Sequence, residues 1–109
     1  MHSLSSTPVG PQLLSIHQED DSAPIELTYD GPLAGFTLGG GGGFRIFSSA
    51  VEHSIDHVSC ADESTVVEIF PDLPLFYDRC IYDGITPAIE YFAGPPGLAA
   101  AFDHPIDWP

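Results

Sequence analysis

Three side chains able to ligate a metal fall close together, His53, His57 and Cys60. A spacing of i, i+4 and i+7 puts them on one stripe if the segment is helical. Two imidazoles one turn apart can share an ion, and a thiolate one turn further on suits zinc. Asp62 or Glu63 offers a fourth ligand. A structural zinc site, however, draws its ligands from two segments, and the chain has no second cluster of the Cys-x-x-Cys kind. His53, His57 and Cys60 are therefore candidates only, and no resident metal or cofactor is expected.

The two thiols are the other nucleophiles to weigh. Cys60 falls near the C-terminal end of that same helix, where the dipole disfavours a thiolate, and the acidic surroundings add to the penalty. No catalytic residue is assigned, and enzymatic activity is not the expected role. The run Gly39 to Gly43 invites a phosphate-loop reading, but a phosphate cradle needs a lysine and a following helix. This chain has no lysine, and Arg45 enters an apolar, strand-like stretch. The glycines read instead as a flexible hairpin connection.

Charge is the strongest signal. Sixteen acidic residues stand against two cations, Arg45 and Arg79, for a formal net charge of -14 in 109 residues. Such a surface repels nucleic acid and anionic membranes and attracts basic surfaces. Mutual repulsion is expected to raise the folded-state pKa values of the carboxylates. A bias of composition is the plain alternative to a surface shaped for a basic partner.

Positioning these groups requires a fold, and the pattern suggests α+β. Residues 1–11 are rich in Ser, Pro and Gly and read as a flexible N-terminal arm. Residues 12–109 read as one acidic domain. Ser49 and Glu52 match a capping box, and Val51, Ile55 and Val58 make a helical apolar stripe, so one helix is expected over about 50–60. Strands are expected over residues 12–17, 25–29, 44–47, 65–70 and 75–82. Asp30-Gly31 and Asp83-Gly84 each look like a hairpin turn, returning over 34–38 and 85–92. Pro87 makes the second return strand an edge. The helix is expected to pack on a small antiparallel sheet built from these hairpins.

No stretch reaches the roughly 18 apolar residues a spanning helix needs. The first residues also lack the basic start and apolar run of a secretory signal. A cytoplasmic site is therefore expected, the host cytoplasm if the gene is phage-borne, with Cys60 and Cys80 as reduced thiols.

The function that fits best is an acidic binding or inhibitor protein. It would occupy a basic surface, for instance a nucleic-acid-binding one, on a macromolecular partner such as a nucleic-acid-binding protein or a toxin. Phage anti-defence, nuclease-inhibitor and immunity proteins use this strategy of nucleic-acid mimicry, an analogy of size and charge alone. Direct contact with nucleic acid or membrane is not expected. The partner-facing carboxylates expected are Glu63, Glu68, Asp72, Asp78, Asp83 and Glu90, with Tyr82, Tyr91 and Trp108 as aromatic anchors. The alternatives are a small metal protein or enzyme using His53, His57 and Cys60, or a small structural or assembly subunit.

Overall fold

The computed structural model describes residues 10–109. Those residues contain no helix. They form nine strands: β1 (Leu13–Gln18), β2 (Ile25–Tyr29), β3 (Phe36–Gly39), β4 (Phe44–Ser48), β5 (Val51–His53), β6 (Ile55–Cys60), β7 (Val66–Pro71), β8 (Arg79–Tyr82) and β9 (Phe102–Pro105). All strand pairs are antiparallel. A five-stranded sheet in the order β1-β2-β7-β6-β3 faces a four-stranded sheet in the order β5-β4-β8-β9. The expected α+β class is thus overturned; the chain is an all-β sandwich.

The missing helix has a local cause. Ser49 and Ala50 adopt positive φ, 51° and 66°, and join Ser48 to its cross-strand partner Val51. A two-residue turn with both central residues left-handed is the hairpin geometry that matches strand twist. Ser49 caps nothing; its amide donates to the Asp78 carboxylate at 2.9 Å. The helical stripe was produced by a β-bulge. Ile55 pairs with Pro71 but His57 pairs with Phe70, so β6 advances two residues where β7 advances one. One extra residue turns the inward spacing from two to three, and buried Ile55 and Val58 mimic a helical period. β-Branched Val51, Ile55 and Val58 favour the strand.

The two expected Asp-Gly hairpins are also absent. After Tyr29 the chain does not return beside β2. It crosses the sheet end as a strap over residues 30–35, where the Leu33 amide donates to Ser64 O and Leu33 O accepts from the Glu63 amide, each at 2.9 Å. It then descends as β3 on the far side of β6. Likewise β8 pairs with β4 and β9, and residues 85–92 form no named strand. The glycine run carries the chain from one sheet to the other. It is pinned, with the Gly40 amide donating to Asp56 O at 2.8 Å and the Gly43 amide to Thr86 O at 2.7 Å. A Cβ on Gly43 would lie 2.1 Å from the Asp83 carboxyl carbon, so a side chain there would push that carboxylate off the Ile85 and Thr86 amides.

Alternation fills the space between the sheets. Ile16, Ile25, Leu27, Val58, Val67 and Ile69 from one sheet meet Phe44, Ile46, Cys80 and Tyr82 from the other, all buried. Each large aliphatic contributes roughly 1.5–3 kcal/mol. Leu33, Tyr77, Ile89 and Ile106 close the sandwich from the loops. Gln18 is fully buried yet satisfied; its Nε2 donates to Leu75 O at 2.8 Å and its Oε1 accepts from the Tyr77 amide at 2.9 Å. After β9 the chain bridges to β1 in parallel, with the Asp107 amide donating to Ile16 O at 2.9 Å and the Gln18 amide to Asp107 O at 3.0 Å. Of the expected arm, residues 1–9 lie outside the described residues. Gly10 and Pro11 are buried, Gly10 against Leu98.

The turn at Ser49-Ala50 separates strand from helix experimentally. Ala50→Gly relieves a left-handed alanine and should raise stability by about 0.5–1 kcal/mol. The urea midpoint should therefore rise; in a helix the same change would lower it.

Candidate functional site

Sixteen carboxylates with two guanidinium partners must find other donors, and the chain supplies them from its backbone. Asp20 accepts from the Ser22 amide at 2.9 Å, Asp62 from Gly35 at 2.7 Å, and Asp78 from Ser49 at 2.9 Å. Asp83 accepts from Ile85 and Thr86 at 2.8 and 3.0 Å. Asp30 accepts from the Gln12 amide at 3.1 Å and the Tyr91 hydroxyl at 2.6 Å. Both arginines lie on the outer face of the four-stranded sheet. Arg45 pairs with Glu52 at 2.9 Å and Arg79 with Asp103 at 2.6 Å, and both lie 5.3 Å from the Phe47 ring centroid. Neither guanidinium is left free.

The expected partner-facing residues divide accordingly. Glu63, Glu68, Asp72 and Glu90 make no hydrogen bond or ion pair through their carboxylates among the described residues. Asp78 and Asp83 are turn fasteners, which makes them poor positions for charge reversal. Tyr82 is no anchor. It is 1% exposed, stacks on Phe44 at 4.6 Å between centroids, and donates its hydroxyl to Pro87 O. Its place in the core follows from β8, where it alternates with outward-facing Ile81. Trp108 is 47% exposed, donates its Nε1–H to Tyr77 O at 2.7 Å and packs against Phe76 at 5.1 Å. Those two rings lie at one end of the five-stranded sheet, beside the loop that Gln18 holds.

The metal candidates separate. His57 faces outward and stacks on Phe70 at 4.2 Å, with Nδ1 2.6 Å from Asp56. Cys60 points into the core, and His53, on the other sheet, packs edge-on against Tyr77 at 5.6 Å. Divided between strands of two sheets, the three do not converge. No group of three or more His, Cys, Asp or Glu side chains among the described residues is arranged to hold an ion. Both cysteines are free and buried. Burial raises the Cys60 thiol, with Asp62 and Glu68 adding to it, and pushes Cys80 up to about 12. Neither is a thiolate at neutral pH.

A cavity lies at the opposite end of the five-stranded sheet, where three layers of chain meet. They are the β6–β7 loop with Glu63, the strap with Pro32, and residues 91–95. The strap and the third layer are tied together, the Ala34 amide donating to Glu90 O and the Phe92 amide to Pro32 O, each at 2.9 Å. The cavity holds about 410 Å³, within the range of small-ligand and side-chain pockets. Its walls are Pro32, Tyr91, Phe92, Ala93, Gly94 and Pro95, and its one carboxylate is Glu63. Glu63 has φ of 68°, a conformation that costs a non-glycine residue about 1–2 kcal/mol. The strap imposes it, since Leu33 bonds to both Glu63 and Ser64. Phe92, Pro32 and Pro95 were not among the site residues expected from sequence. Their signal was the pair Tyr91-Phe92 running into Ala-Gly-Pro-Pro-Gly, two aromatics that a Pro-Gly turn keeps from entering a strand.

No family model matches this chain. No curated protein and no solved structure is significantly similar to it either. No helix among the described residues is long and apolar enough to cross a membrane.

The expected rise in carboxylate pKa values is not what the geometry gives. Asp30 is held below the usual range by the Tyr91 hydroxyl and then the Gln12 amide, Asp20 by Ser22, and Asp83 by the amides of Thr86 and Ile85. Hydrogen bonds from Arg45 and Arg79 lower Glu52 and Asp103. A depressed folded pKa contributes stability that is complete above the unfolded value, about 4 for a carboxylate, and lost as pH falls through the folded value. Thermal midpoints should accordingly drop on acidification below about pH 4, with these five groups adding no slope above about pH 5. Tyr91→Phe should raise the Asp30 titration midpoint toward the ordinary range, read from its side-chain carboxyl resonance. An unmoved midpoint would mean that the hydroxyl does not bond Asp30 in solution.

Proposed function

We propose that this protein is an acidic binding module that occupies a basic surface on a macromolecular partner, in competition with nucleic acid. The observation that carries the reading is the division of its charges. Both guanidinium groups are consumed by carboxylates of the same sheet face, whereas Glu63, Glu68, Asp72 and Glu90 stand unpaired. The surface therefore offers free negative charge and no free guanidinium or lysine ammonium. Steered association with a basic groove, and affinity that depends on counterion release, are what such a surface supplies.

One register detail separates a functional surface from a compositional bias. Glu26 and Glu68 sit directly opposite each other on neighbouring strands, both half-buried on the outer face of the five-stranded sheet. Like charges in that position are destabilising. His17 flanks Glu26 and Ser59 flanks Glu68, and neither is a permanent cation. A row that tolerates its own repulsion is supported if something outside the molecule neutralises it. The free, buried thiols of Cys60 and Cys80 accord with a reducing compartment, and we place the protein and its partner in the cytoplasm.

Two measurements test the reading. Immobilised protein should retain basic, nucleic-acid-binding proteins from lysate at about 50 mM salt and release them by about 500 mM, and added duplex DNA should elute the same proteins. Retention indifferent to salt, or nucleic acid carried along in the complex, would sink it. In parallel, Glu68→Lys should stabilise the fold by about 0.5–1 kcal/mol by giving Glu26 an opposite charge, while weakening capture. A variant that is more stable and captures equally well would leave the acidity compositional.

A further inference from the structure

The cavity between the strap, the β6–β7 loop and residues 91–95 has a chemistry of its own. Its walls are two aromatic rings and two prolines, and its only charge is the Glu63 carboxylate, which no group of the described chain engages. A neutral apolar ligand would cover the rings but leave the exposed Glu63 carboxylate without a partner. An anion would meet Glu63, with Asp30, Asp62 and Glu90 on the same three layers. The ligand class left is a cation with an apolar or flat face.

Tyr91 is built to meet such a cation. Its ring lies against two glycines where a Cβ would crowd it, 3.0 Å from a ring carbon at both Gly31 and Gly94. Its hydroxyl donates to Asp30 at 2.6 Å. The ring is thus fixed before anything binds, and donation to a carboxylate enriches its π face in electron density, which strengthens attraction to a cation. Beside it Phe92 is 45% exposed. The backbone makes the same point at Glu63. Its left-handed conformation suits glycine, yet the sequence puts a carboxylate there. Ser49 and Ala50 also adopt positive φ, but they form a hairpin turn, whereas Glu63 lines a cavity.

We propose that this cavity receives an arginine side chain of the partner, its guanidinium stacked on Tyr91 and Phe92 and paired with Glu63. Arginine is favoured over lysine because a guanidinium is planar and more weakly hydrated than an ammonium. It therefore loses less on entering apolar walls, and it forms two parallel hydrogen bonds with a carboxylate. The assignment rests on the partner being basic, and it gives that partner a specific contact that diffuse charge does not.

The test uses the whole protein and a capped pentapeptide of four glycines around a central arginine. The controls replace arginine by lysine or by citrulline, its neutral isostere. Amide and aromatic resonances should shift at Glu63, Tyr91 and Phe92 with the arginine peptide. Affinity should fall at least about fivefold for lysine and be lost for citrulline. Glu63→Gln should weaken binding about tenfold. Glu63→Gly should do the same in a protein at least as stable, since glycine suits that backbone, so a folding defect cannot account for the loss. Equal binding of citrulline, full affinity in both Glu63 variants, or shifts scattered over the acidic surface would overturn the assignment. A protein that fails here yet releases basic partners to salt and DNA keeps the proposed function and loses the pocket. One that binds the arginine peptide in the cavity but does not compete with DNA loses the proposed function and keeps the pocket.

Discussion

Scarcity of cations governs this structure. A carboxylate left unsatisfied beside other carboxylates is costly, and with Arg45 and Arg79 already committed, the available donors are backbone amides and hydroxyls. Aspartate, with its short side chain, takes them. Asp20 and Asp83 fasten their own turns, while Asp30, Asp62 and Asp78 tie together segments far apart in sequence. The acids therefore hold the loops of the sandwich, a task that cation pairs or disulfides perform in other small β domains. Of the glutamates, Glu26, Glu63, Glu68 and Glu90 take no such part and remain available on the surface.

The same fastening builds the cavity. The strap crosses the sheet end because β3 must reach the far side of β6, and the loop it crosses must bond to it. That crossing fixes Glu63 in a left-handed conformation and sets Leu33 opposite Tyr91, with Pro32 bonded to Phe92. Asp30, at the start of the strap, reaches Tyr91 and holds the third layer in place. Topology, strain and charge thus meet in one spot through a few hydrogen bonds.

Much of the strand content was legible from alternation alone. Ile25, Leu27 and Tyr29 announced β2 at its observed bounds, and Phe44 with Ile46 announced β4, because each buries one face and wets the other. The pattern failed where the period was broken. A single bulged residue near Asp56 made β6 look helical, and Ser49 before Glu52 completed the illusion. Tyr-Asp-Gly at residues 29–31 and 82–84 misled for another reason. Asp83 does make turn contacts and Asp30 reaches distant segments instead, but in both cases pairing partners are chosen by the whole sheet, and local turn chemistry does not carry that information. Of the candidate site, Glu63 and Tyr91 were visible as charge and as aromatic. That they face one cavity was not, since the strap that unites them is a long-range feature.

The two arginines lend the molecule one more property. Proteases that cleave after basic residues need a stretch of chain they can draw out of the fold into their active-site cleft. The chain has no lysine, and Arg45 and Arg79 lie within β4 and β8, each strand hydrogen-bonded on both sides. No described loop carries a cleavable bond for such an enzyme. The first cut must wait for the four-stranded sheet to open, so the rate of digestion follows the opening of that sheet rather than the fraying of a loop.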